Sequence, residues 1–178
     1  DQEPGRKYMD KWDGPAFLKE LRLSGEKDTL EIGVGTGRLA VKTAPLCGNL
    51  TGIDISPQTI ARAREHLAGF DNVSLILGDF MDHDFGRCFD VIYSSLTFMH
   101  IKDKQAAIDK IAALLKPGGR FILSIDKNPS GVIDMGVRQI KIFPDNPGDI
   151  NECLIFSGLS PENLFETEFA VVFSAVKN

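Results

Sequence analysis

Apolar residues recur along this chain in two rhythms that alternate with each other. In residues 13–23, Phe17, Leu18 and Leu21 stand at helical spacing and predict a short amphipathic helix. A near-continuous apolar run at 29–34 predicts a strand, and a glycine turn leads from it into a helix from Arg38 to Cys47. NLTGIDI predicts a second strand that brings Asp54 to its end. SPQTIARAREHLAGF follows as a helix with Ser56 as its N-cap, a proline at its first position and Ile60, Ala63 and Leu67 on one face. VSLILGD (73–79) and FDVIYSS (89–95) predict the third and fourth strands. The helix in KQAAIDKIAALLKPGG should stop at Pro117, and RFILSID (120–126) predicts strand five.

Continuous apolar strands separated by helices predict a parallel sheet covered on both faces. The tail departs from that rhythm. After a helix in INECLIFSGL, the stretches NLFETEF and AVVFSAVK follow with almost no gap. A parallel crossover needs a dozen or more residues, so these two strands must be antiparallel. The expected fold is α/β: three layers, doubly wound, with a mostly parallel seven-stranded sheet that ends in an antiparallel strand. Residues 127–148 hold too many prolines and glycines for a long helix, with VRQIKIF as a candidate added strand. They lie just past strand five, on the rim where open α/β sheets bind ligands, and so face a substrate or merely connect two elements.

Length and composition narrow the partner. At 178 residues, 43% hydrophobic and 25% charged, the chain is expected to form one domain over 1–178. No apolar run approaches the roughly 20 residues of a membrane helix and none resembles a signal peptide, which suggests a cytoplasmic protein without a membrane partner. Cys47, Cys88 and Cys153 match no metal or redox spacing, so free thiols and no metal are expected. The net charge of −5, without a lysine or arginine block, gives no footprint for nucleic acid. A small molecule is the expected partner; oligomeric state is not legible.

The chemistry concentrates in TLEIGVGTGRLA (29–40). A dinucleotide loop has the form G-x-G-x-x-G with an acid roughly 20 residues on. Gly33, Gly35 and Asp54 fit that form, but Arg38 holds the position of the third glycine, and Gly37 comes one residue early. Glu31 lies inside the first strand. As a buried anion it would repel a pyrophosphate and suit a cationic ligand; alternatively, it only bonds the glycine turn. Asp79 follows Gly78 at the end of strand three, where it could meet an amino group or serve turn chemistry. Together, Glu31, Asp54 and Asp79 present three carboxylates to one crevice. That set fits a ligand with hydroxyls, an amino group and positive charge, and no phosphate.

LEIGVGTG, GIDIS, LGDF, FDVIYSSLTFMHI and LKPGGRFILSID, in this order and over about residues 8–126, resemble the successive motifs of the class I, Rossmann-like S-adenosylmethionine-dependent methyltransferases. The terminal hairpin resembles theirs as well. The resemblance implies a strand order of 3-2-1-4-5-7-6 and S-adenosyl-L-methionine as cofactor, with S-adenosyl-L-homocysteine as product. It implies that Gly33, Gly35 and Gly37 let the backbone approach the methionine part and ribose while Glu31 supports the loop. Asp54 would hold the ribose hydroxyls and Ile55 would pack on the adenine. Asp79 would meet the adenine amino group beside the Phe80 backbone. Ser95, and Tyr8 from the N-terminal segment, would sit near the methionine end.

Methyl transfer from a sulfonium is a direct displacement that needs an aligned nucleophile and often a base. His100, after strand four, is the candidate general base, or else a histidine that shapes the rim. The tetrapeptide Ser94-Ser95-Leu96-Thr97 lacks the Asp/Asn-Pro-Pro-aromatic pattern of amino-methylating nucleic-acid enzymes. The chain also has no Pro-Cys nucleophile and no paired-glutamate loop. These absences point to the small-molecule branch, with Asp134, Met135, Arg138 and Phe143 as candidate acceptor contacts. The alternatives are a protein that binds the cofactor or its product without transfer, a transferase of an aminopropyl or carboxymethyl group, and a nicotinamide-dependent oxidoreductase.

Overall fold

The structure, a computed structural model, describes residues 11–127, 130–134 and 139–178. Helix α1 (Gly14–Glu20) precedes strand β1 (Asp28–Ile32), followed by α2 (Ala40–Thr43), β2 (Asn49–Asp54), α3 (Pro57–His66), β3 (Val73–Leu77) and β4 (Phe89–Ser95). Helix α4 (Lys104–Leu114) runs into β5 (Leu115–Asp126). Strands β6 (Val132–Asp134) and β7 (Gln139–Lys141), helix α5 (Pro147–Phe156), β8 (Leu159–Glu166) and β9 (Ala170–Lys177) complete the chain.

Seven strands form one sheet in the order β3-β2-β1-β4-β5-β9-β8. Strands β1 to β5 pair in parallel, and β9 is antiparallel to both β5 and β8. This is the topology expected from the tail, because the three residues between β8 and β9 permit only a hairpin. Side chains alternate across the sheet. Leu30, Ile32, Ile92, Phe121 and Leu123 face one layer, where Ile108 and Ile111 of α4 and Ile150 and Leu154 of α5 cover them. Val91, Tyr93, Ile122 and Val172 face the other, against Phe17, Ala40, Ile60 and Ala63 from α1, α2 and α3.

Side chains of the predicted kinds set the helix starts. Ser56 accepts from the Thr59 N–H ahead of Pro57, Asp103 accepts from Ala106 N–H, and Asn146 accepts from Gly148 N–H. Asp13 caps α1 by accepting from Gly14 N–H at 3.1 Å.

Three expectations shift. The helix foreseen from Arg38 to Cys47 is only one turn of α-helix, Ala40–Thr43, and continues as a 3-10 turn over Ala44–Leu46, where Pro45 interrupts the hydrogen-bond ladder. Strand β5 begins at Leu115, five residues early, because Leu115 pairs with Phe89 before the Lys-Pro-Gly-Gly stretch bulges out with Gly118 at φ 74°. Gln139–Lys141, within the candidate strand VRQIKIF, joins no main-sheet edge and pairs with Val132–Asp134 as a separate hairpin.

Gly52 in β2 fixes how the turn after β1 lies on the sheet. A Cβ there would come 2.8 Å from Val34 Cγ2 and 3.1 Å from Leu75 Cδ2. Both neighbours are branched side chains in packed surroundings. Substituting Gly52→Ala should cost about 1–3 kcal/mol of stability by overpacking, read as a lower denaturant midpoint with an unchanged slope.

Candidate functional site

Where β1 ends, the chain turns through Gly33, Gly35 and Gly37, all at positive φ (74°, 53° and 84°). Strand β2 supplies the acceptors for this turn. Gly33 N–H and Val34 N–H donate to the Ile53 carbonyl at 2.9 and 3.0 Å, and Gly35 N–H donates to Asp54 Oδ2 at 2.9 Å. Asp54 Oδ1 accepts from Ser56 N–H at 2.9 Å and from Thr59 Oγ1 at 3.1 Å. A carboxylate offers about four acceptor positions, so three bonds leave Asp54 capacity toward the cleft it lines.

The three glycines are not equivalent. A Cβ on Gly33 would fall 2.0 Å from Thr97 Oγ1, so its bareness admits the loop after β4. Gly37 is buried, and its Cβ would lie 3.0 Å from Leu67 Cδ1. Its early position therefore serves packing on α3; unlike Gly33 and Gly35, it does not line the cleft.

Glu31 lines the cleft yet is only 4% exposed. Among its described hydrogen bonds it does not hold the glycine turn, which is the task of Asp54. Its Oε2 instead accepts from Tyr93 Oη at 2.7 Å, and Tyr93 Oη lies 2.8 Å from Thr43 Oγ1. Burial pushes the Glu31 carboxyl up to about 8, against the lowering effects of Tyr93 and Arg38. Burial thus favours the protonated carboxyl in the free site, against the expectation of a standing anion.

The opposite end of the turn is tied to the N-terminal segment. Arg38, at the position that breaks the dinucleotide pattern, donates to buried Asp13 through Nη1 at 3.1 Å and Nη2 at 2.5 Å. Asp13 Oδ2 also accepts from Ser95 Oγ at 2.9 Å. Sequence reasoning singled out Ser95 but missed Asp13, because an aspartate ahead of Gly-Pro reads as a helix cap and nothing more. Tyr8 lies outside the described residues.

Past β2 and β3, Ile55 is 68% exposed at the cleft wall, an unusual position for a large apolar side chain. Asp79 is exposed beside it, and its Oδ1 accepts from Met81 N–H at 2.8 Å. Lys110 of α4 clamps this loop by donating to the Met81 and His83 carbonyls at 2.9 and 2.7 Å, with its ammonium 5.3 Å from the centre of the buried Phe80 ring.

The remaining wall follows β4. Leu96 has φ 56°, a strained conformation for this residue type, at the mouth of the cleft. His100 lines the same wall, its pKa held below the usual histidine value by burial and by the nearby Lys104. Lys104 also donates to the Phe98 and Phe143 carbonyls and pairs with Asp145 at 2.6 Å. Phe143 N–H donates to Met99 at 2.8 Å, so Phe143 docks its segment on this loop; the neighbouring Ile140 lines the cleft in its place. Asp134 ends β6, and Met135 and Arg138 lie outside the described residues. The whole cleft encloses about 970 Å³. Among the described residues, no three His, Cys, Asp or Glu side chains converge as a metal site, and no helix is long and apolar enough to cross a membrane.

Residues 30–123 match the model of a family described as "Methyltransferase domain". Nodulation protein S of Sinorhizobium fredii is 30% identical over 67% of this chain and 62% of its own length. Demethylmenaquinone methyltransferase of Tropheryma whipplei is 31% identical over 64% of this chain and 48% of its own. The chain thus spans less than two thirds of either relative. In fold, it is similar to the crystal structure of the N-methyltransferase NodS from Bradyrhizobium japonicum, with a TM-score of 0.79 at 19% identity, covering 99% of this chain and 98% of that one. The chain belongs to the methyltransferase-domain family and has the class I, S-adenosylmethionine-dependent methyltransferase fold.

Proposed function

We propose that this protein moves the methyl group of S-adenosyl-L-methionine to a small-molecule acceptor by direct displacement and leaves S-adenosyl-L-homocysteine. The observation that carries this reading is the pairing of Asp54 and Ile55 beside the bare Gly33–Gly35 turn: a carboxylate with acceptor capacity next to an exposed apolar side chain. That pairing fits a nucleoside, with Asp54 holding its hydroxyls and Ile55 covering its base. Asp79 has an oxygen beyond the one bonded to Met81 with which to meet an amino group. Glu31 and Arg38 bring acidic and basic groups to the other end, which fits an amino-acid moiety. When bound, the cofactor supplies an electrophilic methyl carbon on a sulfonium.

Ser95 and Arg38, both fixed on Asp13, hold the methionine end, with Glu31 behind them. Lys110 keeps the Asp79–Phe80 loop in place. His100 acts as general base: with its pKa lowered, the neutral imidazole predominates at neutral pH and can take the acceptor's proton. The hairpin of β6 and β7 with Ile140 forms the acceptor side. Relatives named for nodulation protein S and demethylmenaquinone methylation support acceptors outside the nucleic acids.

Calorimetry with S-adenosyl-L-methionine, S-adenosyl-L-homocysteine and a nicotinamide dinucleotide should show binding of the first two; binding of the dinucleotide alone would overturn the reading. A methyl-release screen across metabolite pools then identifies the acceptor and separates transferase from mere binder. Replacing Asp54 by Ala should weaken cofactor binding by about 1–3 kcal/mol, through loss of the hydroxyls' acceptor. Unchanged affinity would mean that the hydroxyls bind elsewhere. For His100→Gln, kcat should fall by about 10²-fold with little change in KM. The wild-type rate should decline with acid only below the usual histidine range, because the base works unprotonated and its pKa is depressed. A pH profile that the substitution leaves intact would remove His100 from the chemistry.

A further inference from the structure

Three acceptors from two distant stretches of chain converge on the ammonium of Lys104, at the start of α4. Lys104 donates to the Phe98 carbonyl, within the 3-10 turn that carries His100, and to the Phe143 carbonyl at 3.0 Å. The third partner is Asp145, whose carboxylate lies 2.6 Å away and whose side chain is only 1% exposed. An ammonium has three protons, so each finds an acceptor. The Phe98 ring, buried beside Phe121, lies 6.0 Å from the same charge. Two backbone bonds run alongside: Phe143 N–H donates to the Met99 carbonyl at 2.8 Å, and Ile142 N–H donates to the Gly131 carbonyl at 3.0 Å. Ile142 is buried, and Ile140, two residues earlier, lines the cleft that His100 also lines. On the far side, Asn146 directly follows Asp145 and caps α5.

A buried ion pair often stabilises a fold no more than apolar side chains of similar volume would. The directed bonds of this one nevertheless select a single placement of the two stretches that they join. We propose that Lys104, with Asp145 as its buried counter-ion, is a positioning residue that sets the His100 turn and the Ile140 wall of the cleft as one unit. The inference rests on the proposed transfer to a small acceptor with His100 as base. Base and acceptor wall are then held in register with each other, independently of the glycine turn. The pair also sets the charge around His100. Lys104 from α4 disfavours a proton there, whereas Asp145 from the segment before α5 and Asp54 from β2 favour one.

The test combines amide hydrogen exchange, NMR titration of His100 and calorimetry with S-adenosyl-L-homocysteine, on the wild type and its variants. In Lys104→Met, the amides of His100 and Ile101 should lose protection together with those of Ile142 and Phe143. Protection retained in either stretch would overturn the proposal, because the backbone bonds would then suffice. The double variant Lys104→Met with Asp145→Leu leaves no unpaired buried carboxylate. It should keep the wild-type unfolding midpoint and show the same joint loss; protection restored there would equally overturn it.

The His100 signal is identified among the three histidines by its absence in His100→Gln. Its midpoint should rise in Lys104→Met and fall in Asp145→Asn. A merely structural pair would loosen the turn in both variants and move both midpoints up toward the ordinary histidine value, against the proposal. With the acceptor found by the methyl-release screen, Lys104→Met should lower kcat/KM for the acceptor by about 10²-fold and leave the KM of the methyl donor unchanged. Equal losses for donor and acceptor would also count against it. S-adenosyl-L-homocysteine should bind every variant as it binds the wild type, since neither Lys104 nor Asp145 lines the cleft. Its failure to bind the wild type would overturn the proposed function, while the exchange result would still decide the coupling of the two stretches.

Discussion

The structure depends on how β1 ends. Its chain leaves the sheet through a turn whose first backbone N–H groups point away from any helix or strand of their own. Buried donors of this kind need acceptors, and the end of β2 provides them through the Ile53 carbonyl and the Asp54 carboxylate. Register makes this possible: Ile32 pairs with Ile53, so Asp54 stands one step past the last ladder rung, level with the turn. A slip of one residue would put the carboxylate on the wrong face of the sheet and leave the turn unsupported. Once the turn is held, Gly33 can receive Thr97 and Gly37 can receive Leu67, which brings the loop after β4 and helix α3 to the same cleft.

Basic side chains do similar work farther out. Lys104 and Lys110 rise from one helix, α4, and donate to loop carbonyls on two walls of the cleft. Arg38 performs the equivalent task for the N-terminal segment through Asp13. Loops have carbonyl groups that no ladder satisfies, and an ammonium offers three donors on a long stem. One helix packed on the apolar face through Ile108 and Ile111 thus sets the shape of two walls of the cleft.

What was legible in the sequence follows the range of the interactions concerned. Strand positions and the antiparallel tail could be read because apolar runs, helix caps and a gap too short for a crossover are local signals, whereas the strand order came only with the family resemblance. The short α2 is obscured in the sequence because Val41 and Leu46, both exposed, mimic a longer amphipathic face that Pro45 cuts short. Asp54, Ile55, Asp79 and His100 were readable as residues placed on strand ends or just after them. Asp13, Tyr93, Thr43 and Lys110 were not, because each acts across a long stretch of chain, and its own surroundings suggest a cap, a core aromatic, a helix residue or a solvated charge. Glu31 stands out in the sequence as an acid within an apolar strand, but its protonation depends on burial, which no motif encodes.

The hairpin at the end of the chain has a consequence for the order of assembly. Strand β9 lies inside the sheet, between β5 and β8, although it comes after both in the chain. During synthesis, β5 therefore emerges with one edge paired to β4 and the other open until residues 170–177 follow. The cleft is built almost wholly from residues before 104, on the opposite half of the sheet. A nascent chain can thus hold most of the cleft while still exposing an unpaired strand edge, the kind of surface that invites association with a second chain. The late strand closes that edge.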